Sequence, residues 1–528
     1  MKSENQNNVI PVPIIDLFAG PGGLAEGFSS VLEKEGTFFE IKLSIEKDED
    51  AHKTLELRSF CRQFKPGKLP DEYYEILREL NILEREKKKQ LLYKKFESEF
   101  KNAQKEAWKA ELGSEKFPSK DVDTRIIDAL EGFENWVLIG GPPCQAYSLV
   151  GRSRVGGIDS QDHRVYLYKE YLRIIATHKP AVFIMENVKG LLSAKIGDQE
   201  IFSKILLDLK DPVSVFPETK SPKYRIFSLV KKTVDKNSDY LIKSELYGIP
   251  QKRHRVILLG VREDLNVIPG TLNLKDEVSL QSVIGNLPKI RSGMSRKFIS
   301  SEIINGKKKR LYQSVNDNPR LWEQYVNSFK NEILNWNGLK KYGDRNITKA
   351  PTLDKGAEYL NFTCEFPDND LKSWYLDPKL NGITHHYSRS HLVEDLLRYL
   401  FASIFTISEK RFPRMSDYDK HSTHLIPDHE NAKTGKFDDR FRVQLPDIPA
   451  TTVTSHISKD GHYFIHYDPN QCRTFTVREA ARVQTFPDNY LFCGARTSQY
   501  HQVGNAVPPY LAKQIAEIVR NLFKEIDE

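Results

Sequence analysis

An α/β fold organised around a mainly parallel sheet is the class this sequence predicts, on three observations. Short apolar runs that suit buried strands (Val12–Phe18, Trp136–Ile139 and Pro180–Met185), with a further strand at Ile41–Ile45, alternate with stretches of helical spacing. The first run opens into a glycine-rich turn, Ala19-Gly20-Pro21-Gly22-Gly23-Leu24. Residues able to do chemistry, Glu46, Cys144 and Glu186, stand just beyond the later runs, where open α/β sheets place their ligands.

The opening unit is the most regular. After the turn, Leu24, Phe28, Val31 and Leu32 fall at helical spacing. Strand, glycine turn and helix together begin a nucleotide-binding βα unit, in which backbone N–H groups at the helix start can face a polar ligand. The spacing is not GxGxxG, so the turn alone is a weak signal. Ile41–Ile45 ends in Glu46, 23 residues past Gly23. That position suits hydrogen bonding to ribose hydroxyls, although an ordinary surface glutamate would read the same.

Residues of about 57–119 break the rhythm. Lysine and glutamate abound, and Leu77, Leu80, Leu83, Leu92, Phe96 and Phe100 recur at roughly helical intervals. We read an inserted helical excursion whose charges form a solvated face, with contact to DNA as the alternative. Asp121-Val122 then resumes the α/β pattern. Trp136–Ile139 leads into Gly140-Gly141-Pro142-Pro143-Cys144-Gln145, where glycines let the chain turn toward a ligand and prolines stiffen it. The loop presents the Cys144 thiol on a rigid tip, and it would equally suit a buried structural cysteine.

A helix follows with Val165, Tyr168, Leu172 and Ile175 on one face, then the strand Pro180–Met185 ending in Glu186-Asn187-Val188. Two strand ends in one parallel sheet can bring a thiol and a carboxylate to one crevice; a glutamate there could also simply cap the next segment. Gln251-Lys252-Arg253-His254-Arg255 precedes the apolar Val256–Gly260. Alternation puts Gln251, Arg253 and Arg255 on one face, which suits a strand that meets anions or carbonyl oxygens.

From about residue 269 the alternation stops. Through about 445 the chain carries the run Lys307-Lys308-Lys309-Arg310, many Tyr, Trp and His, and no clear repeat, as a separate recognition segment would. Thr476-Val477-Arg478-Glu479 is a capping box opening a helix through Gln484 that stops at Phe486-Pro487-Asp488. Gln502-Val503-Gly504-Asn505 and the prolines at 508 and 509 lead into a last helix with Leu511, Ile515, Ile518, Leu522 and Ile526 on one side.

Bulk properties bound the remaining choices. At 528 residues, 39% hydrophobic and 29% charged, the chain suits a globular protein of two or more domains. No apolar run approaches the ~18 residues of a membrane helix, and the polar start lacks a signal-peptide core. Five scattered cysteines without CxxC pairs point to a reducing, cytoplasmic setting and to no metal site. A net charge of +7 and a pI near 8.8 permit nucleic-acid binding but hardly argue for it.

Taken in order, these pieces resemble the DNA cytosine-5 methyltransferases. The resemblance rests on Asp16-x-Phe18-x-Gly20-x-Gly22-Gly23, Pro142-Pro143-Cys144-Gln145, Glu186-Asn187-Val188 and Gln251-x-Arg253-x-Arg255. Arg478 to Pro487 and Gln502-x-Gly504-Asn505 complete it. Six modest motifs in the family's order, between residues 16 and 509, are together very specific. Tyr147-Ser148 stands where the family has Phe-Ser, and Lys120 replaces the glycine usual before Asp121.

The resemblance implies a Rossmann-like S-adenosylmethionine-dependent methyltransferase sheet with a smaller, mixed target-recognition domain across a DNA-binding cleft. The expected division is a catalytic and cofactor-binding domain at 1–268, interrupted at 57–119, a target-recognition domain at 269–494, and a returning segment at 495–528. Cys144, Glu186, Arg253 and Arg255 would be catalytic. Phe18, Gly20, Gly22, Gly23, Leu24, Glu46, Asp121, Val122, Pro142, Asn505 and Val507 would bind S-adenosylmethionine. The substrate would be double-stranded DNA, bound by a monomer, with a cognate restriction endonuclease or defence-system proteins as partners. Three rivals remain at this stage: a tRNA cytosine-5 methyltransferase, a nicotinamide-dependent oxidoreductase, and a non-catalytic DNA-binding module.

Overall fold

The structure, a computed structural model, describes residues 10–34, 36–143, 163–196, 199–305, 307–336, 347–366, 369–427 and 438–527. Eight strands make its main sheet: β1 (Val12–Leu17), β2 (Phe39–Glu46), β3 (Ala107–Lys109), β4 (Val137–Gly140), β5 (Val182–Val188), β6 (Tyr224–Ser228), β7 (Leu241–Lys243) and β8 (His254–Arg262). Their order is β6-β8-β5-β4-β1-β2-β3, with β7 also on β8. Strands β1 to β5 pair in parallel, whereas β8 runs antiparallel to β5, β6 and β7. The run 3-2-1-4-5 reverses direction between β1 and β4, which opens a crevice at their carboxyl ends. This is the mixed α/β sheet that the apolar runs predict.

Every residue of β1 and β4 is buried, as strands covered on both faces require. Ile14 joins one apolar cluster with Leu24, Phe28, Leu511 and Ile515, and its neighbour Ile15 joins another with Ile126, Tyr171 and Leu172. Helix α1 (Gly23–Ser29) thus covers one face. Helices α2 (Glu49–Arg62), α3 (Asp71–Arg78), α4 (Ile82–Lys95) and α5 (Glu97–Glu106) form the insertion.

The insertion differs from expectation in extent. Its helices end at Glu106, and Ala107–Lys109 returns to the sheet beside β2. A three-residue strand has too short an apolar signature to stand out against the flanking helical pattern. Helix α6 (Ser119–Leu130) then covers Asp121-Val122, so these two residues do not mark a strand end. Leu77 and Leu92 are buried as predicted, but Leu80 and Leu83 are 56% and 72% exposed. The insertion's core includes Leu380, Leu491 and Cys493, so later segments hold it. Its charges pair locally, Lys87 with Glu84 at 2.7 Å and Lys101 with Glu97 at 2.6 Å, in keeping with a solvated face.

Helix α7 (His163–His178) follows β4. Farther on, α8 (Pro319–Asn335) and α9 (Val393–Glu409) build a separate apolar cluster around Trp322, Tyr399 and Phe401. Helix α10 (Val477–Val483) starts with the predicted capping box: Thr476 N donates to Glu479 Oε2 at 2.8 Å and Glu479 N to Thr476 Oγ1 at 3.2 Å. Leu280, Phe475 and Val477, assigned by sequence to the second domain, are buried in the same cluster as Ile14. Helices α11 (Arg496–Asn505) and α12 (Pro509–Asp527) close the fold. Gly27 touches α12 so closely that an added Cβ would lie 2.5 Å from Lys513 N and Pro509 O. Among the described residues no helix is long and apolar enough to cross a membrane.

One buried acid within β1 has a measurable consequence. Asp16 is 0% exposed, and neither carboxylate oxygen has a hydrogen-bond partner. Burial pushes its pKa well above the usual carboxylate range, despite the opposing pull of Arg62. An acid whose folded pKa is raised stabilises the fold most below its unfolded value of about 3.9, and that contribution is lost as pH rises through the folded pKa. The unfolding free energy of the parent minus that of Asp16→Asn should therefore fall as pH rises above about 4. Within the titration window the slope should be about 1.4 kcal/mol per pH unit. Urea denaturation at several pH values tests this, and a difference that stays constant would refute it.

Candidate active site

Strand register brings distant residues to one rim. Leu17 lies opposite Ile45 and Gly140, and Gly140 lies opposite Met185. Phe18, Glu46, Gly141 and Glu186, each one residue farther along, therefore share the carboxyl edge of the sheet. Because β8 is antiparallel, its first residues arrive at that same edge: Ile257 pairs with Glu186 and Arg255 with Val188. A cavity of about 390 Å³ opens there, within the ~300–1,000 Å³ typical of small-molecule sites.

Phe18, Gly20, Gly23, Leu24 and Glu46 line one side. Phe18 and Gly20 both sit at positive φ, 57° and 58°, an uncommon state for a bulky side chain that the neighbours must hold. Those neighbours are specific. Gly20 N donates to Glu46 Oε2 at 2.8 Å, Ala19 N to Ile45 O at 3.0 Å, and the Tyr490 hydroxyl to Pro21 O. The other Glu46 oxygen accepts from Asp48 N at 2.7 Å. Burial raises the Glu46 carboxyl above its usual range, while these N–H donors pull the other way.

Gly22 is not part of the lining. At φ 93° it caps α1, and an added Cβ would lie 3.1 Å from Leu55 and 3.2 Å from the Tyr490 hydroxyl. Its contribution is to shape the turn. Asp121 and Val122 do not line the cavity either: Asp121 is exposed in the first turn of α6 and Val122 is buried in the core. The residues after β3 that line the cavity are Ala110, Glu111 and Leu112. Only the short run Ala107-Trp108-Lys109-Ala110 ahead of an acidic–apolar pair could have pointed to them. Sequence reasoning also missed Asp48 and His501, which line the cavity too.

The far wall comes from the end of the chain. Asn505 and Val507 line it, beside Pro142 of the loop after β4, with Asn505 Nδ2 donating to the His501 ring at 3.1 Å. Gln502 ties this wall to α2, accepting from Thr54 Oγ1 at 2.7 Å. Gly504 lies against the backbone of residues 454 and 455, closer than any Cβ would allow.

Beside the cavity, Arg255 Nε donates to Glu186 Oε1 at 2.7 Å, with both side chains mostly buried. The other carboxylate oxygen lies over Gly141, 3.0 Å from where a Cβ would stand, so a side chain there would crowd the Glu186 carboxylate. Asn187 Nδ2 makes a long 3.5 Å contact with Pro142 O, linking β5 to this loop. Cys144 itself lies outside the described residues; Pro143, its predecessor, lines the cavity.

Gln251 and Arg253 turn away from this pair. The strand breaks at Arg253, which is 1% exposed and donates to Val453 O at 2.9 Å and Gly504 O at 3.3 Å. Gln251 donates to Val483 O at 3.2 Å and accepts from Val453 N at 2.7 Å. Both meet main-chain carbonyls, one of the two partners that alternation suggested, and they clamp the rim to the chain end. Arg253 forms part of the cavity wall, but its hydrogen bonds are those of a positioning residue.

A second arginine cluster braces α10. Arg478 donates to Thr384 O, Pro487 O and Tyr490 O at 2.9–3.0 Å, and Arg482 binds both oxygens of Asp488 at 2.9 and 2.6 Å. Thus Tyr490, whose hydroxyl holds the glycine turn, is itself held through its carbonyl.

A cavity at the switch point of a doubly wound sheet, rimmed by an acid and a guanidinium, marks a ligand-binding α/β enzyme. The sequence profile of the C-5 cytosine-specific DNA methylases matches residues 87–213 and 220–521. Type II methyltransferase M.Bpa9945I of Bacillus paralicheniformis is 30% identical over 523 residues, spanning 96% of this chain and 98% of that protein. The DNA (cytosine-5-)-methyltransferase M.ApeKI of Aeropyrum pernix is 24% identical, spanning 77% of this chain and 85% of its own. The solved structure of Entamoeba histolytica methyltransferase EhMeth aligns with a TM-score of 0.42 at 14% identity, over 98% of this chain and 100% of that one. The chain belongs to the C-5 cytosine-specific DNA methylase family.

Proposed function

We propose that the cavity binds S-adenosylmethionine and that the adjoining rim methylates C5 of a cytosine turned out of duplex DNA. The observation that carries this reading is that the Phe18–Glu46 side and the Glu186–Arg255 pair open onto one cavity. The cavity's chemistry fits the cofactor: an aromatic face at Phe18, a carboxylate at Glu46 placed for ribose hydroxyls, and Leu112 for the purine. When bound, the cofactor supplies an electrophilic methyl group.

C5 of cytosine is a weak nucleophile, so the ring must first gain electron density. Cys144 adds to C6 as thiolate, forming a C–S bond and leaving an enamine at C5. At an ordinary pKa only a few per cent of a thiol is thiolate near neutral pH. Glu186 holds the N3 edge and passes it a proton, while Arg255 fixes the carboxylate and meets O2. After C5 is methylated, loss of its proton and departure of the sulfur restore the ring. Both carbons are stacked in the duplex, so the base must rotate out, which costs a few kcal/mol.

The Bacillus paralicheniformis relative is named as a type II methyltransferase. We extend that to this chain as the modification arm of a restriction or phage-defence system, with an endonuclease as its partner. Bisulfite sequencing of plasmid DNA from expressing cells should show 5-methylcytosine at one recurring sequence and none in cells lacking the protein. Unmodified plasmid, with methylated tRNA instead, would overturn the reading.

A further inference from the structure

The function proposed above leaves one element unused, and it is strongly basic. β9 (Gly293–Ile304) and β10 (Lys307–Ser314) form an antiparallel two-stranded ribbon, with Arg296 opposite Ser314 and Ile304 opposite Lys307. Residues 293–314 hold six lysines and arginines against one acid, Glu302. The whole chain has a formal excess of only +7, so this ribbon carries most of it.

Successive strand residues face opposite ways, and the register sorts the ribbon accordingly. Arg296, Phe298 and Tyr312 share one face, with the Arg296 guanidinium 4.1 Å from the Tyr312 ring centroid. Lys297, Lys309 and Leu311 share the other. Past its root the ribbon leaves the core: Ile299 is 55% exposed and Ile303 80%. Charge along an edge strand also discourages edge-to-edge pairing. That purpose alone requires neither cations on both faces nor bare isoleucines between them.

The root lies near the cavity. Gly293 N donates to Arg389 O at 3.1 Å, the Arg389 guanidinium lies 4.2 Å from the Tyr500 ring centroid, and the next residue, His501, lines the cavity. We propose that the ribbon enters a groove of the duplex next to the extruded cytosine and grips the phosphates of both walls. The major groove, about 12 Å wide, admits a two-stranded ribbon. Cations on the two faces then meet a phosphate strand on either side. Phosphate contacts carry no sequence information, so the ribbon supplies affinity rather than choice of base. The inference rests on the DNA reading above and names the element that holds the DNA.

The test is a full-length Arg296→Gln, Lys297→Gln, Lys309→Gln variant, titrated with unmethylated duplex DNA from 50 to 200 mM salt. At about 0.9 per phosphate contact, the slope of log affinity against log salt should fall by about 2–3. Affinity near 150 mM should drop at least about tenfold, with methyl transfer at saturating DNA unchanged. A folded variant that keeps the parent's slope overturns the proposal. Should the triple variant aggregate, Lys309→Gln alone should lower the slope by about 1, and an unchanged slope there overturns it equally. If the parent methylates duplex DNA while the variant keeps its slope, only the ribbon's role fails. A parent that neither binds nor methylates duplex DNA removes the functional reading itself.

Discussion

Cys144→Ser should lower methyl transfer at least about 10³-fold, roughly 4 kcal/mol of transition-state stabilisation. The reason is electronic rather than steric. A serine hydroxyl is far less acidic than a thiol and supplies almost no oxyanion near neutral pH, so the bond to C6 does not form. Affinity for DNA and for S-adenosylmethionine should be retained, because neither is assigned to the sulfur. Single-turnover transfer of labelled methyl to a duplex separates the chemical step from product release. A fluoropyrimidine oligonucleotide should trap the parent covalently and leave the variant free. A variant within tenfold of the parent would mean that the attacking group lies elsewhere.

The second large effect is on folding. Asp488→Ala should cost about 3–5 kcal/mol, because it leaves the Arg482 guanidinium buried at 0% exposure without its counter-charge. Arg482 would keep only uncharged partners: Val283 O and Asn286 Oδ1, both at 2.9 Å, and Cys364 Sγ at 3.3 Å. The loss should appear as a lower urea midpoint, and Asp488→Asn should recover part of it through the hydrogen bonds. A midpoint within about 1 kcal/mol of the parent would show that the pair is dispensable. Since the same segment carries Tyr490 beneath the glycine turn, cofactor affinity should weaken along with stability.

Much of the site could be read from sequence because its residues sit at the ends of strands. Gly141 and Glu186 each follow an uninterrupted apolar run and Glu46 follows the strand Ile41–Ile45, and parallel pairing then places the strand ends side by side. The residues that escaped notice lack that signature. Glu111 and Leu112 follow a strand of three residues, adjacent to helices whose lysine and glutamate content dominates the pattern. Asp121-Val122 matched a motif in type but belongs to a helix, since nothing local distinguishes an acidic–apolar pair after a strand from one in a first turn. Gln251, Arg253 and Arg255 alternate as a strand should, yet a break at Arg253 sends the first two to main-chain carbonyls and the third to Glu186. Alternation shows which side chains share a face; which partner each one meets depends on segments distant in the chain, Val453 and Val483 for the first two and Glu186 for the third.

The wall supplied by His501, Asn505 and Val507 has a consequence during synthesis. A ribosome adds about 5–20 residues per second, so these positions follow Phe18 and Glu46 by roughly half a minute or more. Until they emerge, the nascent chain has a sheet and a glycine turn but a cavity open on one side. Methylation should therefore begin only with finished molecules, and a message cut short even after Asp488 should yield a protein that leaves DNA unmarked.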